Sequence, residues 1–525
     1  MTSESKYSSM NIVNRIRNNT FKLITYFIAI HLAHDSCGCI SMKDSRVILQ
    51  SFKNRELNSL CSLQRTTNIY EIFYEWDCSL NQTRMNPCDW RGVKCDDHHH
   101  ISALNLSGIG LLGTLSPDLF SLDNMTYFDV SENLLNGSIP YQISAAINLR
   151  YFKISSNFFS SSIPSSIGHL PYLSYFNISS NSLKSSIPIT FYNLTNLEFF
   201  DSRVNYFTGT ISTLIGRMVR LQYLNLQHND LKGSIPESFS SLANLRTINL
   251  AYNSFSSSIP CSIGYLSKLN NLFLQNNPFL TGSIPTAMGF LTNLKSLIIS
   301  NCRLTSTIPA SIGLLSSLTT IDLGSNKMLS TLPTQLCLLS NLDSLVLTNN
   351  KYYGGIPSCF GVLSNLQELD ISVNSLSQFI PSSLFSLSQL KSLLLNSNMF
   401  RSSIPSELGT LTALTVLSLH SNSISSSLPS NICELTALDT LLVHSNKLES
   451  SIPTCIGSTL IRLRNLSLCN NKFTSSVPSS LGAMSSVTGL CLSGNSLSSS
   501  LPSSLCSLQS LNLLCLLYTS PSPRD

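Results

Sequence analysis

A periodicity of 24 residues runs through most of this chain and leaves it few folds to adopt. The segments Phe128-Asp-Val130-Ser-Glu-Asn133, Phe152-Lys-Ile154-Ser-Ser-Asn157, Phe176-Asn-Ile178-Ser-Ser-Asn181 and Leu224-Asn-Leu226-Gln-His-Asn229 lie 24 residues, or a multiple of it, apart. The register continues through Asn253, Asn277, Asn326, Asn350, Asn374, Asn398, Asn422, Asn446, Asn471 and Asn495, with single insertions near Pro278 and Arg462. Two positions break the rule: Ile109 opens the array, and Cys302 takes the asparagine place in its unit. About eighteen units fit between residues 101 and 516, the last incomplete. One such unit cannot bury its apolar side alone, so neighbours must stack into a continuous core. In each, an apolar-x-apolar pair aims two side chains inward from a short parallel strand while the residue between faces out. The recurrent asparagine is expected to turn inward and hydrogen-bond loop backbone, because buried amides left unpaired cost about 1–3 kcal/mol each. These spacings specify an α/β repeat solenoid, with a parallel β-sheet on the concave face and short 3-10 or helical turns on the convex face.

After the asparagine comes a second regular segment: Gly137-Ser-Ile-Pro140, Gly233-Ser-Ile-Pro236, Gly282-Ser-Ile-Pro285 and Gly354-Gly-Ile-Pro357. Many units put serine in the glycine place, as in Ser161-Ser-Ile-Pro164 and Ser402-Ser-Ile-Pro405. Before the repeats stands Cys88-Asp-Trp-Arg-Gly-Val-Lys-Cys95, and upstream of it Asp44 through Val47-Ile-Leu-Gln-Ser-Phe-Lys53, with Trp76 between. Together these segments resemble the plant extracellular leucine-rich-repeat proteins: receptor-like proteins, receptor-kinase ectodomains and polygalacturonase-inhibiting proteins. The resemblance implies a leucine-rich-repeat superhelix with a second short sheet flanking the concave one. It also implies an amino-terminal cap at 37–100, with an opening helix near Val47–Lys53, Trp76 in its core and a Cys88–Cys95 disulfide. The stretch from Cys61 to Cys78 has no place in that pattern.

Arg15, Arg17 and Lys22 precede an apolar run from Leu23 to Leu32, so residues 1–36 read as a signal peptide or an uncleaved anchor. Sixteen cysteines suit an oxidising compartment, secreted or at the plasma membrane. Cys337 with Cys359 and Cys433 with Cys455 share an offset of 22 residues, which fits either lateral disulfides or small buried residues. At the other end, the array passes into Leu517-Tyr-Thr-Ser-Pro-Ser-Pro-Arg-Asp525 without a closing cap. Residues 517–525 read as a non-native tail on a truncated ectodomain whose membrane span, with or without a kinase, would follow.

Enzyme chemistry finds no foothold. Nucleophile elbow, phosphate loop, zinc-protease and kinase catalytic-loop patterns are absent from the sequence. Asp96-Asp-His-His-His100 reads as a solvated turn rather than a metal site, and no cofactor is implied. A charge of only +5 without basic runs argues against nucleic acid. Recognition is the remaining chemistry. Just before the first inward strand position stand Tyr127, Tyr151, Tyr175, Phe199 and Tyr223 in five consecutive units. Strand alternation puts these rings on the concave face about 5 Å apart. Beside them, facing the same way, are expected Asp129, Lys153, Asn177, Asp201 and Asn225. Such a surface suits a protein, peptide or glycan ligand, with a co-receptor implied by the family; the same rings could instead serve only as a ladder that ties strands together. Past Tyr223 the column reads Thr247, Asn271, Ser296, Thr320, Ser344, Glu368 and Ser392, and the amino-terminal half is chemically distinct. Glycosylation patterns occur at Asn81, Asn105, Asn124, Asn136, Asn177, Asn193 and Asn465. The competing readings of function are a secreted inhibitor of a wall-degrading enzyme and an adhesion or matrix scaffold.

Overall fold

Each repeat folds the same way because the same seven apolar positions must leave water. In one unit Phe128, Val130, Leu135, Ile139, Ile143, Ala146 and Leu149 are all buried, and their equivalents are buried along the array. The computed structural model describes residues 54–69, 76, 78, 86–498 and 500–515. The sequence readings of the leader, the helix near Val47–Lys53, Asn81 and the tail lie outside the described residues.

One sheet of 19 strands runs the length of the described chain. It begins with Val93–Cys95 pairing antiparallel to Ile101–Asn105, and every later partner is parallel and in register, for example Phe128 with Phe152 and Phe176. Beside it, among the described residues, the segments that lead into each Gly-x-Ile-Pro or Ser-x-Ile-Pro form short flanking sheets of five, four and six strands. The proline then fixes φ near −65° and opens a five-residue 3-10 turn, as at Pro140 before Tyr141–Ala145 and Pro164 before Ser165–His169. Where the insertion near Arg462 adds a residue, the turn becomes α-helical at Cys455–Thr459, which accommodates the extra length.

The asparagine ladder holds successive turns together. Asn157 Nδ2 donates to Val130 O of the preceding repeat (2.9 Å) and to Ile154 O of its own (3.2 Å). Its Oδ1 accepts from Leu135 N at 2.9 Å. Cys302 cannot do this: its thiol reaches only Leu274 O and Ser300 O at 3.5 Å. The Leu280 amide, which an asparagine at 302 would accept, bonds Asn277 O instead (3.0 Å).

The cap closes the amino-terminal end of this core. Its helix, Asn54–Thr66, is tied by Cys61–Cys78, the pair without a place in the family pattern, and Cys88–Cys95 bridges a short loop with Cα atoms 5.6 Å apart. Trp76 is fully buried, its ring 4.9 Å from Trp90. Both lateral pairs, Cys337–Cys359 and Cys433–Cys455, are disulfides with Cα atoms 5.8 Å apart. No helix among the described residues is long and apolar enough to cross a membrane.

Candidate functional site: a stacked aromatic column on the concave face

Parallel in-register pairing places Tyr127, Tyr151, Tyr175, Phe199 and Tyr223 side by side, with Ala103 and Thr247 at the ends of the run. Their rings stack face to face, with centroids 4.3, 4.2, 4.2 and 4.4 Å apart and planes within 9° of parallel. All five are half-buried. Because each internal face is covered by a neighbour, solvent meets ring edges and phenol hydroxyls. The outward residue therefore presents a row of four hydroxyls interrupted at Phe199. Behind it, on the core side of the same strands, Phe128, Phe152, Phe176 and Phe200 form a second, fully buried aromatic row.

The acidic and amide residues beside the rings are not on the surface as alternation suggested. Asp129, Asn177, Asp201 and Asn225 are each at most 8% exposed, and only Lys153 of that set is partly open. Each of the four turns back on its own chain two residues on. Asp129 Oδ1 accepts from Ser131 N (2.9 Å) and Oγ (2.6 Å), and Asn177 Oδ1 accepts from Ser179 N (3.0 Å) and Oγ (2.8 Å). Asp201 accepts from Arg203 N at 3.0 Å and Asn225 from Gln227 N at 3.1 Å. The pattern Asx-x-Ser at 129–131 and 177–179 was the available signal, since short side chains of this kind cap their own backbone. Asn177, itself one of the acceptor patterns, is buried in the folded chain with its Oδ1 bonded to Ser179. Among the other acceptors, Asn105, Asn136, Asn193 and Asn465 are exposed and Asn124 is partly so.

Charge enters the site as two pairs. Lys153 Nζ lies 3.5 Å from Asp129 Oδ2, and Arg203 Nε lies 3.6 Å from Asp201 Oδ2 with its guanidinium half in water. Burial pushes the Asp201 carboxyl above its ordinary range, against the lowering effect of the Arg203 amide and guanidinium. The Tyr127, Tyr151 and Tyr223 phenols are pushed up, by burial first. For Tyr151 the neighbouring Tyr175, Tyr127 and Asp129 add to the effect. These hydroxyls stay protonated: Tyr127 OH donates to Asp129 Oδ2 (3.4 Å), while Tyr223 OH accepts from Asn225 Nδ2 (3.1 Å). A shorter aromatic pair, His228 on Tyr252 at 4.0 Å, was not singled out by sequence.

The histidine-rich link folds as a turn. Asp96 Oδ1 accepts from His98 N and His100 N, both at 2.9 Å, and His100 Nδ1 lies 3.2 Å from Glu56 Oε1 of the cap helix. Among the described residues no three His, Cys, Asp or Glu side chains are grouped to hold a metal ion.

Leucine rich repeat family profiles match residues 218–279 and, separately, 148–170, 293–315, 365–387, 413–435, 462–484 and 486–508. A leucine-rich repeat receptor-like serine/threonine-protein kinase of Arabidopsis thaliana is 34% identical over 102 residues, which is 19% of this chain and 9% of that protein. The chain thus matches only a small part of the length of that kinase. Among solved structures, the plant peptide hormone receptor RGFR1 in complex with RGF2 superposes with a TM-score of 0.79 at 30% identity, over 82% of this chain and 72% of that one. The Arabidopsis receptor kinase HAESA, in complex with the peptide hormone IDA and the co-receptor SERK1, gives 0.71 at 29% identity, over 88% and 86%.

Proposed function

This chain belongs to the plant extracellular leucine-rich-repeat proteins, and on that premise we propose that it is part of the ectodomain of a receptor-like protein or receptor kinase and that its aromatic column binds an extended peptide. The stacked rings from Tyr127 to Tyr223 are the observation that carries this reading. Four steps of 4.2–4.4 Å make a strip of roughly 17 Å, the length of about five residues of extended chain. Ring edges supply apolar contact, the phenols supply donors for backbone carbonyls or carboxylates, and the strip is held rigid before any ligand arrives. Rigidity of this kind lowers the ordering cost of association. Lys153 and Arg203, partly open beside the strip, favour a ligand with acidic groups at that edge. RGFR1 and HAESA are in complex with peptide hormones, and HAESA also with a co-receptor, which supports a peptide and a co-receptor as partners here. The cap, the disulfides and the exposed acceptor asparagines suit secretion to the cell surface.

The test compares Tyr175→Phe with Tyr175→Ala against a library of synthetic extended peptides on immobilised chain. Loss of a hydroxyl without loss of the stack weakens a peptide that reads the phenols, while the alanine variant weakens any peptide on the strip. Unchanged binding in both would leave the rings as a purely structural ladder, worth tenths to about 1 kcal/mol per pair.

A further inference from the structure

The closing residue of each convex 3-10 turn reads His169, Asn193, Arg217 and Ser241, then Tyr265, Phe290, Leu314, Leu338 and Val362, then Ser386, Thr410 and Glu434. The middle five are large, apolar and 58–63% exposed. They form one stripe because their turns pack in order along the stack. The Tyr265 and Phe290 rings lie 6.3 Å apart at 21°, and Leu338 Cδ1 would lie 3.0 Å from a Cβ placed on Gly313, beside Leu314. The glycines at 264, 289 and 361 let successive turns approach closely, since a Cβ on each would come within 2.7 Å of a carbonyl oxygen of the next turn. In the fourth turn, Cys337 replaces that glycine and is bonded to Cys359 of the fifth.

Two independent features set this surface apart. All five turns, Cys261–Tyr265, Thr286–Phe290, Ala310–Leu314, Thr334–Leu338 and Ser358–Val362, lack charged residues, although Glu237, Arg217, Glu407 and Glu434 stand on turns to either side. The sequence Asn-x-Ser/Thr also occurs nowhere between residues 194 and 464, so no acceptor asparagine lies on the stripe itself, whereas Asn193 sits on the same row upstream. Five such side chains expose roughly 500 Å² of apolar surface, at the upper end of what a monomer ordinarily shows.

We propose that this stripe is the interface of a homodimer, formed convex face to convex face about a two-fold axis through Leu314. The area fits. A standard interface takes about 800 Å² from each partner, and homodimer interfaces are about 65% apolar, which asks for about 520 Å² of apolar surface per copy. The order of residues fits as well, because an isologous contact pairs residue i with j and j with i. Aromatic residues stand at one end of the stripe and aliphatic ones at the other. Reversed pairing sets Tyr265 against the partner's Val362, Phe290 against the partner's Leu338, and Leu314 against itself. Large thus meets small on both sides of the axis. The concave column faces away from this contact and stays open in each copy, so the dimer would present two recognition strips.

Sedimentation velocity on the secreted full chain across the micromolar range tests this, with Leu314→Asp and Phe290→Ser beside it. The expected result is concentration-dependent dimer in the unsubstituted chain and at least about tenfold weaker association in each variant, at unchanged melting temperature. With the free, exposed Cys261 and Cys506 replaced by serine, Leu314→Cys, on the axis, is expected to give an oxidised covalent dimer, while Ser386→Cys, on the same row but off the axis, gives none. A chain that stays monomeric at tens of micromolar overturns the proposal. So does a dimer indifferent to Leu314→Asp, which would place the contact elsewhere, including the apolar end near Leu513.

Discussion

Replacing Asn181 by alanine removes one side chain that touches four backbone groups, and the structure shows which of them suffer. Asn181 Nδ2 donates to Ile154 O (3.0 Å), Ile178 O (3.2 Å) and Ser179 O (3.1 Å), and Oδ1 accepts from Phe159 N (3.0 Å). The three carbonyls each keep a second donor. Ile154 O retains Asn157 Nδ2, Ile178 O retains Asn205 Nδ2, and Ser179 O retains Ser156 N. The Phe159 amide, on a fully buried residue, loses its acceptor. An orphaned buried donor costs about 1–3 kcal/mol, and three weakened acceptors add a little more, so the change is expected to cost about 2–4 kcal/mol. Because each repeat touches only its neighbours, the loss is local. Hydrogen exchange read by mass spectrometry on a peptide covering residues 152–165 should therefore quicken by roughly 30- to 1000-fold, with peptides around Asn446 unchanged. An acceleration below about threefold, or one spread evenly over the array, would refute the reasoning that the ladder acts through single shared donors.

Three further outcomes follow from other parts of the stack. Val373 is a β-branched residue held at φ +52°, so Val373→Asn, which tolerates that conformation, should stabilise by about 1 kcal/mol, read as a raised melting temperature. Asp201 has its folded pKa raised from 3.8, so its favourable contribution is full below that value and is lost as pH rises through the raised one. Asp201→Asn keeps the bond from Arg203 N, as Asn177 and Asn225 keep theirs, and should raise the melting temperature at pH 7 while flattening its decline above pH 4. Removing the Cys433–Cys455 bond by double serine substitution should cost about 3 kcal/mol on the chain-entropy estimate for its separation of 22 residues, measured by urea unfolding under oxidising conditions.

The repeat made most of the fold readable, because a fixed period determines strand, ladder asparagine, proline and turn at once. Strand alternation likewise sufficed to align five rings from different units. It failed two residues further on. Asp129, Asn177, Asp201 and Asn225 were expected to face solvent with the rings, yet strands of three residues end there, and each side chain folds back on its own backbone two residues on. A period-two rule does not see where a strand stops. The Cys61–Cys78 bond was unreadable for a different reason, since it joins a helix to a stretch with no repeat register. The convex stripe from Tyr265 to Val362 lies at a position the repeat pattern leaves free, and its meaning appears only when successive turns are stacked.

Recognition of a peptide by the concave column from Tyr127 to Tyr223 is open to direct test. The most direct measurement is to immobilise the secreted chain, and its Tyr151→Ala and Tyr223→Ala variants, over peptides from plant extracellular fluid and identify what each retains by mass spectrometry. A defined peptide should be held by the unsubstituted chain and lost from both variants while their melting temperatures stay within a few degrees. A peptide held equally by all three would contradict it, and would leave the column as a ladder that only ties strand to strand.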